Sequence, residues 1–353
     1  MSKVLVGMSG GVDSAVAALL LKEEGYDVEG VTLRTWTGDK GEDSRCCEID
    51  DARETARRIG IPYHVFNRVP DFEEKVVRPF IDDYLRGVTP NPCVICNRVI
   101  KWEYLLYYAE VLEADYVATG HYASVTKLDN GRYTVCKAQH AEKDQTYMLY
   151  RLTQEQLEKT LMPLGKYSKG EVRDIAGKAG LNVASKPDSQ EICFVPDGSY
   201  ADFIREQTDK ELPPEGNFVD EEGNILGTHK GIFRYTVGQR KRLGIALGYP
   251  VYIKEIRPDK NEILLVKDDD TFCREIFCSD LNFMGIPEPE KGKPFRCQVK
   301  VRYRHPGQYA TVEMTGEDRA RIVFEEPVRA ATPGQSAVFY DRDCLMGGGI
   351  ISI

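Results

Sequence analysis

The stretch Ser9-Gly10-Gly11-Val12-Asp13-Ser14 follows the apolar run Lys3–Met8 and opens a segment whose Val12, Val16, Leu19 and Leu20 share one helical face. A strand, a tight turn and a helix are therefore expected in that order. Two adjacent glycines let the backbone turn sharply and come close to a ligand. Main-chain N–H groups at the helix start, with the positive end of the helix dipole, make an anion site. Ser9 and Ser14 add hydroxyls, and Asp13 could hold a magnesium ion that neutralises phosphate charge. No lysine follows, so this is not a Walker A loop, and the spacing fails the dinucleotide fingerprint G-x-G-x-x-G. The bland alternative is a strand–helix turn that merely needs glycines.

The same alternation continues. Val28–Leu33 reads as a strand, Ile49–Ile59 as a helix, Pro62–Phe66 as a strand, Tyr104–Leu112 as a helix and Ala114–Gly120 as a strand. This predicts an α/β fold with a doubly wound, Rossmann-like parallel sheet, its ligand site beyond the carboxyl ends of the strands. Near residue 205 the character changes. Leu212-Pro213-Pro214-Glu215-Gly216 punctuates the chain, and short strand candidates follow at Gly216–Val219, Pro250–Ile256, Glu262–Lys267, Val299–Tyr303, Ala310–Met314, Arg321–Phe324 and Gln335–Tyr340. For a chain of 353 residues the division expected is a catalytic domain over 1–204, a small β-rich domain over 205–276 and a C-terminal β-barrel over 277–353.

No run approaches the ~18 apolar residues of a membrane span, and the apolar start stops too early for a secretory signal. A soluble, cytoplasmic protein without a membrane partner is expected. Ten cysteines are too dilute for a disulfide scaffold. Cys136, Cys273, Cys278, Cys297 and Cys344 sit singly in strand-like surroundings and read as packed thiols, and the adjacent Cys46-Cys47 have poor geometry for a shared metal.

Three others differ. In Asn91-Pro92-Cys93-Val94-Ile95-Cys96-Asn97 an Asn–Pro pair suits an N-cap and first turn, where the helix dipole favours thiolate. A structural zinc site needs four ligands, and no second C-x-x-C exists. Ninety-seven positions after Cys96, Cys193 ends the polar string Lys186-Pro187-Asp188-Ser189-Gln190-Glu191-Ile192-Cys193, an unusual setting for a merely packed thiol.

The string SGGVDS after an apolar strand resembles the loop of the ATP pyrophosphatases, which cleave ATP between its α- and β-phosphates and adenylate a substrate oxygen. With Gly120-His121-Tyr122-Ala123, Lys143-Asp144-Gln145, Tyr235-Thr236-Val237-Gly238-Gln239-Arg240, Thr332-Pro333-Gly334-Gln335 and Leu345-Met346-Gly347-Gly348-Gly349-Ile350, the chain resembles the bacterial tRNA-specific 2-thiouridylase family over its whole length. The resemblance implies ATP bound by Gly7, Met8, Ser9, Gly10, Gly11, Val12, Asp13 and Ser14, flanked by Leu33 and Gly120. It implies replacement of the C2 oxygen of the wobble uridine by sulfur in tRNAs for Lys, Glu and Gln. Cys193 would carry a persulfide loaded by a cysteine desulfurase or a sulfur-relay protein. Cys96 would be the second catalytic thiol, closing a transient disulfide with Cys193. Asn91, Pro92 and Cys93 would meet the target base, and His121, Lys143, Asp144, Gln145, Tyr303, Arg304 and Gln335 the tRNA. Where some members carry Asp as a proposed base, this chain has Cys93. Cys93, Cys96 and Cys193 could instead ligate an iron–sulfur cluster, and at this level the two routes stay open.

The net charge of −9 excludes a protein that holds RNA through bulk positive charge. Two stretches nevertheless hold six Lys or Arg each and no acid: Gly223–Lys254 and Lys291–Val312. They read as phosphate-binding patches, or more blandly as solvated strand faces. Two other functions compete with sulfur transfer. An amide-forming ATP pyrophosphatase ligase needs no cysteine pair, and a non-catalytic RNA-binding protein would tolerate loss of Asp13 or Cys193.

Overall fold

The computed structural model describes residues 1–38, 47–186, 192–195 and 199–352. Cys46 and the string Pro187–Glu191 lie outside them. The chain opens with β1 (Lys3–Gly7), β2 (Asp27–Arg34), β3 (Tyr63–Asn67) and β4 (Tyr116–Ala118), continues through β5 (Ala123–Lys127) and β6 (Tyr133–Lys137), and returns with the short β7 (Thr160–Leu161). Strands β3-β2-β1-β4-β7 form a parallel five-stranded sheet, its order reversing at β1. Val4 and Val6 pack one face against the helices Val12–Glu23 and Ile49–Ile59, and Leu5, Val31 and Val117 pack the other against the helix Glu103–Val111. Burial on both faces explains why β1 reads as a continuous apolar run rather than an alternating one.

Four strands follow: β8 (Gly216–Val219), β9 (Ile225–His229), β10 (Tyr252–Arg257) and β11 (Glu262–Val266), in the order β10-β11-β8-β9. The last six are β12 (Phe272–Phe283), β13 (Phe295–Lys300), β14 (Gln308–Gly316), β15 (Arg319–Arg329), β16 (Ser336–Asp341) and β17 (Cys344–Ser352). They run β12-β15-β14-β13-β16-β17, and β12 pairs back onto β17, closing a barrel with no free edge. Alternate residues such as Val299, Val312, Ile322 and Phe339 fill its interior.

Two departures from the sequence reading bear on how the parallel sheet meets the barrel. The hairpin β5–β6 had no counterpart there, although Asp129-Asn130-Gly131 is a turn signal and Gly131 adopts φ +81°. It leaves the parallel sheet and joins the barrel through β6 on β17. Second, Cys136 and Cys344, expected as separate packed thiols, face each other across that junction as a disulfide, with Cα atoms 4.0 Å apart. Residues 208 positions apart are paired by strand register, which no local pattern records. The other three follow expectation: burial pushes the thiols of Cys278 and Cys297 up to about 12 and raises that of Cys273, the behaviour of buried apolar thiols.

Candidate active site

The glycine loop lies at the carboxyl end of β1, where the sheet order reverses, the position at which open α/β sheets bind ligands. Gly11 caps the helix Val12–Glu23 without a side-chain bond, leaving the task to main chain and hydroxyls. Ser14 Oγ accepts from Ser9 N at 3.1 Å and donates to Gly11 O at 3.2 Å. Gly10 holds φ +81°, and a Cβ there would stand 2.4 Å from Glu48 O. Gly120 comes in from the end of β4, where a Cβ would lie 2.6 Å from the backbone of Asp13 and Ser14. Only glycine permits that approach.

Asp13 is not open. Lys169 Nζ reaches both of its oxygens at 2.8 Å, and Tyr122 OH donates to Oδ1 at 2.7 Å. Lys186 joins the other side of the loop, 2.6 Å from Glu48 and 3.4 Å from Gly10 O. The two lysines bring positive charge to the loop without the Walker spacing. Lys169 was not legible in advance, since it sits at the start of a helix capped by Ser168 and Glu171, remote in sequence.

A cavity of about 150 Å³ runs along the strand ends. Gly7, Met8, Ser9, Leu33, Gly120, Cys96, His121 and Gln145 line it, so predicted nucleotide residues, one predicted thiol and two predicted tRNA contacts share one wall. Val31, Thr35, Cys47, Lys101, Leu105 and Thr119 complete it unforeseen. Cys47 is buried, 3.1 Å from Leu33 O and 3.0 Å from Thr35 Oγ1. His121 Nδ1 lies 2.8 Å from Thr119 Oγ1, and burial, with Lys101 nearby, lowers its pKa to about 3, so the imidazole is neutral at ordinary pH. Val12 lies in the core beneath the loop.

Asn91 caps the helix Pro92–Cys96 as the Asn–Pro pair predicts, its Oδ1 accepting from Val94 N at 3.4 Å. The helix passes through a π-helical turn, Asn97–Trp102, into Glu103–Val111. Cys93 is exposed at its start and Cys96 buried one turn on. Cys193, distant in sequence, packs half-buried against the apolar cluster that contains Cys96, Phe72, Phe80 and Phe194. Both predicted thiols thus adjoin one apolar cluster. Among the described residues, no three His, Cys, Asp or Glu side chains are placed to hold a metal ion.

The expected tRNA residues divide. Tyr303 and Arg304 are exposed, Tyr303 with its ring 6.2 Å from that of Tyr147, and Lys143 is half-buried. Asp144, by contrast, faces inward, bonding Thr146 and lying 3.5 Å from the half-buried Lys300. Gln335 donates to Thr89 O and Pro90 O. The basic stretches also lose charge to partners from elsewhere: Lys254 to Glu221, Lys293 to Glu290, Arg296 to Glu325 and Lys300 to Asp144. Arg302 is spent on Arg329 O, while Arg240, Lys241, Arg242 and Arg304 are exposed.

A glycine loop at a sheet's switch point, beside a cavity that also presents a thiol, is a Rossmann-like arrangement. Family models agree in sequence: a tRNA methyl transferase HUP domain over residues 2–197, a tRNA methyl transferase PRC-barrel domain over 201–267 and an aminomethyltransferase beta-barrel domain over 273–351. The chain is 52% identical over 358 aligned positions to a tRNA-specific 2-thiouridylase MnmA of Lachnoclostridium phytofermentans, covering 99% of both chains. It is 50% identical to that of Clostridioides difficile, covering 99% of this chain and 98% of the other. A U34-tRNA thiolase NcsA from Methanococcus maripaludis, solved with its [4Fe-4S] cluster, is 21% identical with a TM-score of 0.36, over 59% of this chain and 64% of that one. The chain belongs to the tRNA-specific 2-thiouridylase family and is a tRNA-modifying sulfurtransferase enzyme. None of its described helices is long and apolar enough to cross a membrane.

Proposed function

We propose that the chain performs ATP-dependent 2-thiolation of the wobble uridine of tRNA in the cytoplasm, with Cys193 as persulfide carrier and Cys96 as resolving thiol. The observation that carries this reading is one cavity lined by the glycine loop and by Cys96, with Cys193 in the apolar cluster around Cys96. The uracil C2 oxygen attacks the α-phosphorus of Mg·ATP and pyrophosphate leaves, turning a poor leaving group into AMP. The loop N–H groups, Lys169 and Lys186 would take up the pyrophosphate charge, and Lys101 on the cavity wall would face the α-phosphate. The outer sulfur of the Cys193 persulfide attacks C2 and AMP leaves. The Cys96 thiolate then attacks the Cys193 sulfur, releasing 2-thiouridine and closing a Cys96–Cys193 disulfide, which an external dithiol reduces. A cysteine desulfurase or sulfur-relay protein reloads Cys193. Reaching C2 requires the base to leave the anticodon stack, and Asn91, Pro92 and Cys93, at the mouth of the helix bearing Cys96, would receive it.

The persulfide route is preferred to a cluster because it needs only Cys96 and Cys193, and Cys193 packs against the apolar cluster that contains Cys96. The test is mass spectrometry of tRNA after reaction with ATP and a sulfur source. 2-Thiouridine formed with AMP in equal amount by iron-free protein supports the reading. Activity that appears only with bound iron and acid-labile sulfide overturns it.

A further inference from the structure

Strands β1 and β2 pair from Lys3–Asp27 up to Gly7–Val31, and Met8 N extends the tie by donating to Val31 O at 2.8 Å. Past that point β1 gives way to the glycine loop, while β2 runs on through Leu33 and Arg34. The dipeptide Cys47-Glu48 spans the gap between them. The Cys47 thiol donates to Leu33 O at 3.1 Å, which leaves its sulfur as acceptor for Thr35 Oγ1 at 3.0 Å. On the other side, Glu48 N donates to Ser9 O at 3.1 Å, and the Glu48 carbonyl presses on Gly10, where a Cβ would stand 2.4 Å from it.

Both halves of the dipeptide are anchored. Cys47 and Thr35 are buried. Glu48 O accepts from Ala52 N at 3.1 Å as the first bond of the helix Ile49–Ile59, and its carboxylate lies 2.6 Å from Lys186 Nζ, which reaches Gly10 O at 3.4 Å. Ser9, Leu33, Thr35 and Cys47 all line the one cavity. With phosphates on the N–H groups of the glycine loop, the nucleoside lies farther along the wall, against Leu33, Thr35 and Cys47. The dipeptide therefore joins the side that holds phosphate to the side that holds the nucleoside.

We infer that Cys47 is a positioning residue for the nucleotide: through Leu33 and Thr35 on one side and Glu48 on the other, it fixes the separation between the end of β2 and the glycine loop, and it takes no part in sulfur transfer. This rests on the function proposed above and deepens it. Two sides held at one spacing before ATP arrives leave less to be ordered on binding, which strengthens affinity without touching the reacting atoms.

The test uses the full-length enzyme with Cys47→Ala, which removes the donor, and Cys47→Ser, which keeps a donor and removes the sulfur. Three quantities are read: Mg·ATP affinity without tRNA, tRNA affinity without ATP, and single-turnover thiolation at saturating ATP. In Cys47→Ala, Mg·ATP binding should weaken by about threefold to tenfold, as the loss of one hydrogen bond brings. Its tRNA affinity and its thiolation at saturating ATP should match wild type. Cys47→Ser should recover most of the lost Mg·ATP affinity and thiolate tRNA as wild type does. Wild-type Mg·ATP affinity in Cys47→Ala would overturn the inference. So would loss of thiolation in Cys47→Ser with Mg·ATP bound normally, which would make Cys47 a sulfur-handling thiol. Thermal melting confirms that each variant is folded. If Cys47→Ala is not, Thr35→Val serves, since it keeps the shape and removes the hydroxyl that donates to the thiol. It should weaken Mg·ATP binding in the same range, and wild-type affinity there would overturn the inference equally. Failure of the wild type to thiolate tRNA would sink the proposed function, while the Mg·ATP affinities would still report on the role of Cys47.

Discussion

Two groups of cysteines occupy this chain under opposite conditions. Cys278 and Cys297 lie inside the closed barrel, where burial pushes both thiols up to about 12 and no reactant can reach them. Cys96 is also buried, yet it lies on a helix that begins at an Asn cap and on the wall of a cavity shared with the glycine loop. What separates the groups is whether the thiol lines a cavity beside the glycine loop or is closed inside a barrel that pairs every strand.

The sharpest way to break this comparison is to exchange thiols for hydroxyls in both regions. Cys96→Ser and Cys193→Ser should each reduce 2-thiouridine formation by on the order of 10³-fold or more, because a resolving pair acts as a unit. Cys93→Ala should retain substantial activity in iron-free protein. Equal, complete loss in all three variants together with loss of bound iron would replace the persulfide pair with a cluster. Next in size, Asp13→Ala should lower AMP formation by on the order of 10²-fold while tRNA binding survives, since it releases Lys169 and removes the loop's carboxylate. An unchanged rate of ATP cleavage would remove the glycine loop from the reaction.

In the barrel the expectation inverts. Cys278→Ala should leave thiolation intact and cost roughly 1 kcal/mol of stability by opening a small cavity, measured by denaturant unfolding. A loss of activity without loss of stability would mean the barrel thiols are chemically engaged.

A pH effect sharpens the contrast from the cleft side. His121 is held at about 3, below its ordinary value near 6.5, so the unfolded chain binds its proton more readily. Its contribution to stability is then full above 6.5 and lost as pH falls toward 3. His121→Gln should lessen acid destabilisation in that window and leave the melting temperature at pH 8 nearly unchanged. Smallest of all, Arg304→Ala should reduce the salt slope of tRNA binding by about one and leave ATP affinity alone. An unaltered slope would mean that this exposed edge of the barrel touches no phosphate.

Much of the active region was legible because it is local. The glycine loop, the Asn91-Pro92 cap and the helices Ile49–Ile59 and Glu103–Val111 depend on φ preferences, capping and periodicity within a few residues. The charge stretches were legible only as composition, not as pairing. Lys254, Lys293, Arg296 and Lys300 have no acid within their stretches, yet each is paired with an acid from outside them.

By itself, the sequence determined the alternating α/β half, the turn at Ser9–Ser14, the all-β character after residue 205 and the thiols worth watching, since each is a matter of local backbone preference or residue chemistry. Only the tertiary structure decided that β5–β6 pairs with the barrel, that Cys136 meets Cys344, that Lys169 covers Asp13 and that Gln335 bonds Thr89 and Pro90. Those pairings join residues tens to hundreds of positions apart. They are set by strand register and by which buried polar groups must find partners, and neither is written in any short stretch of chain.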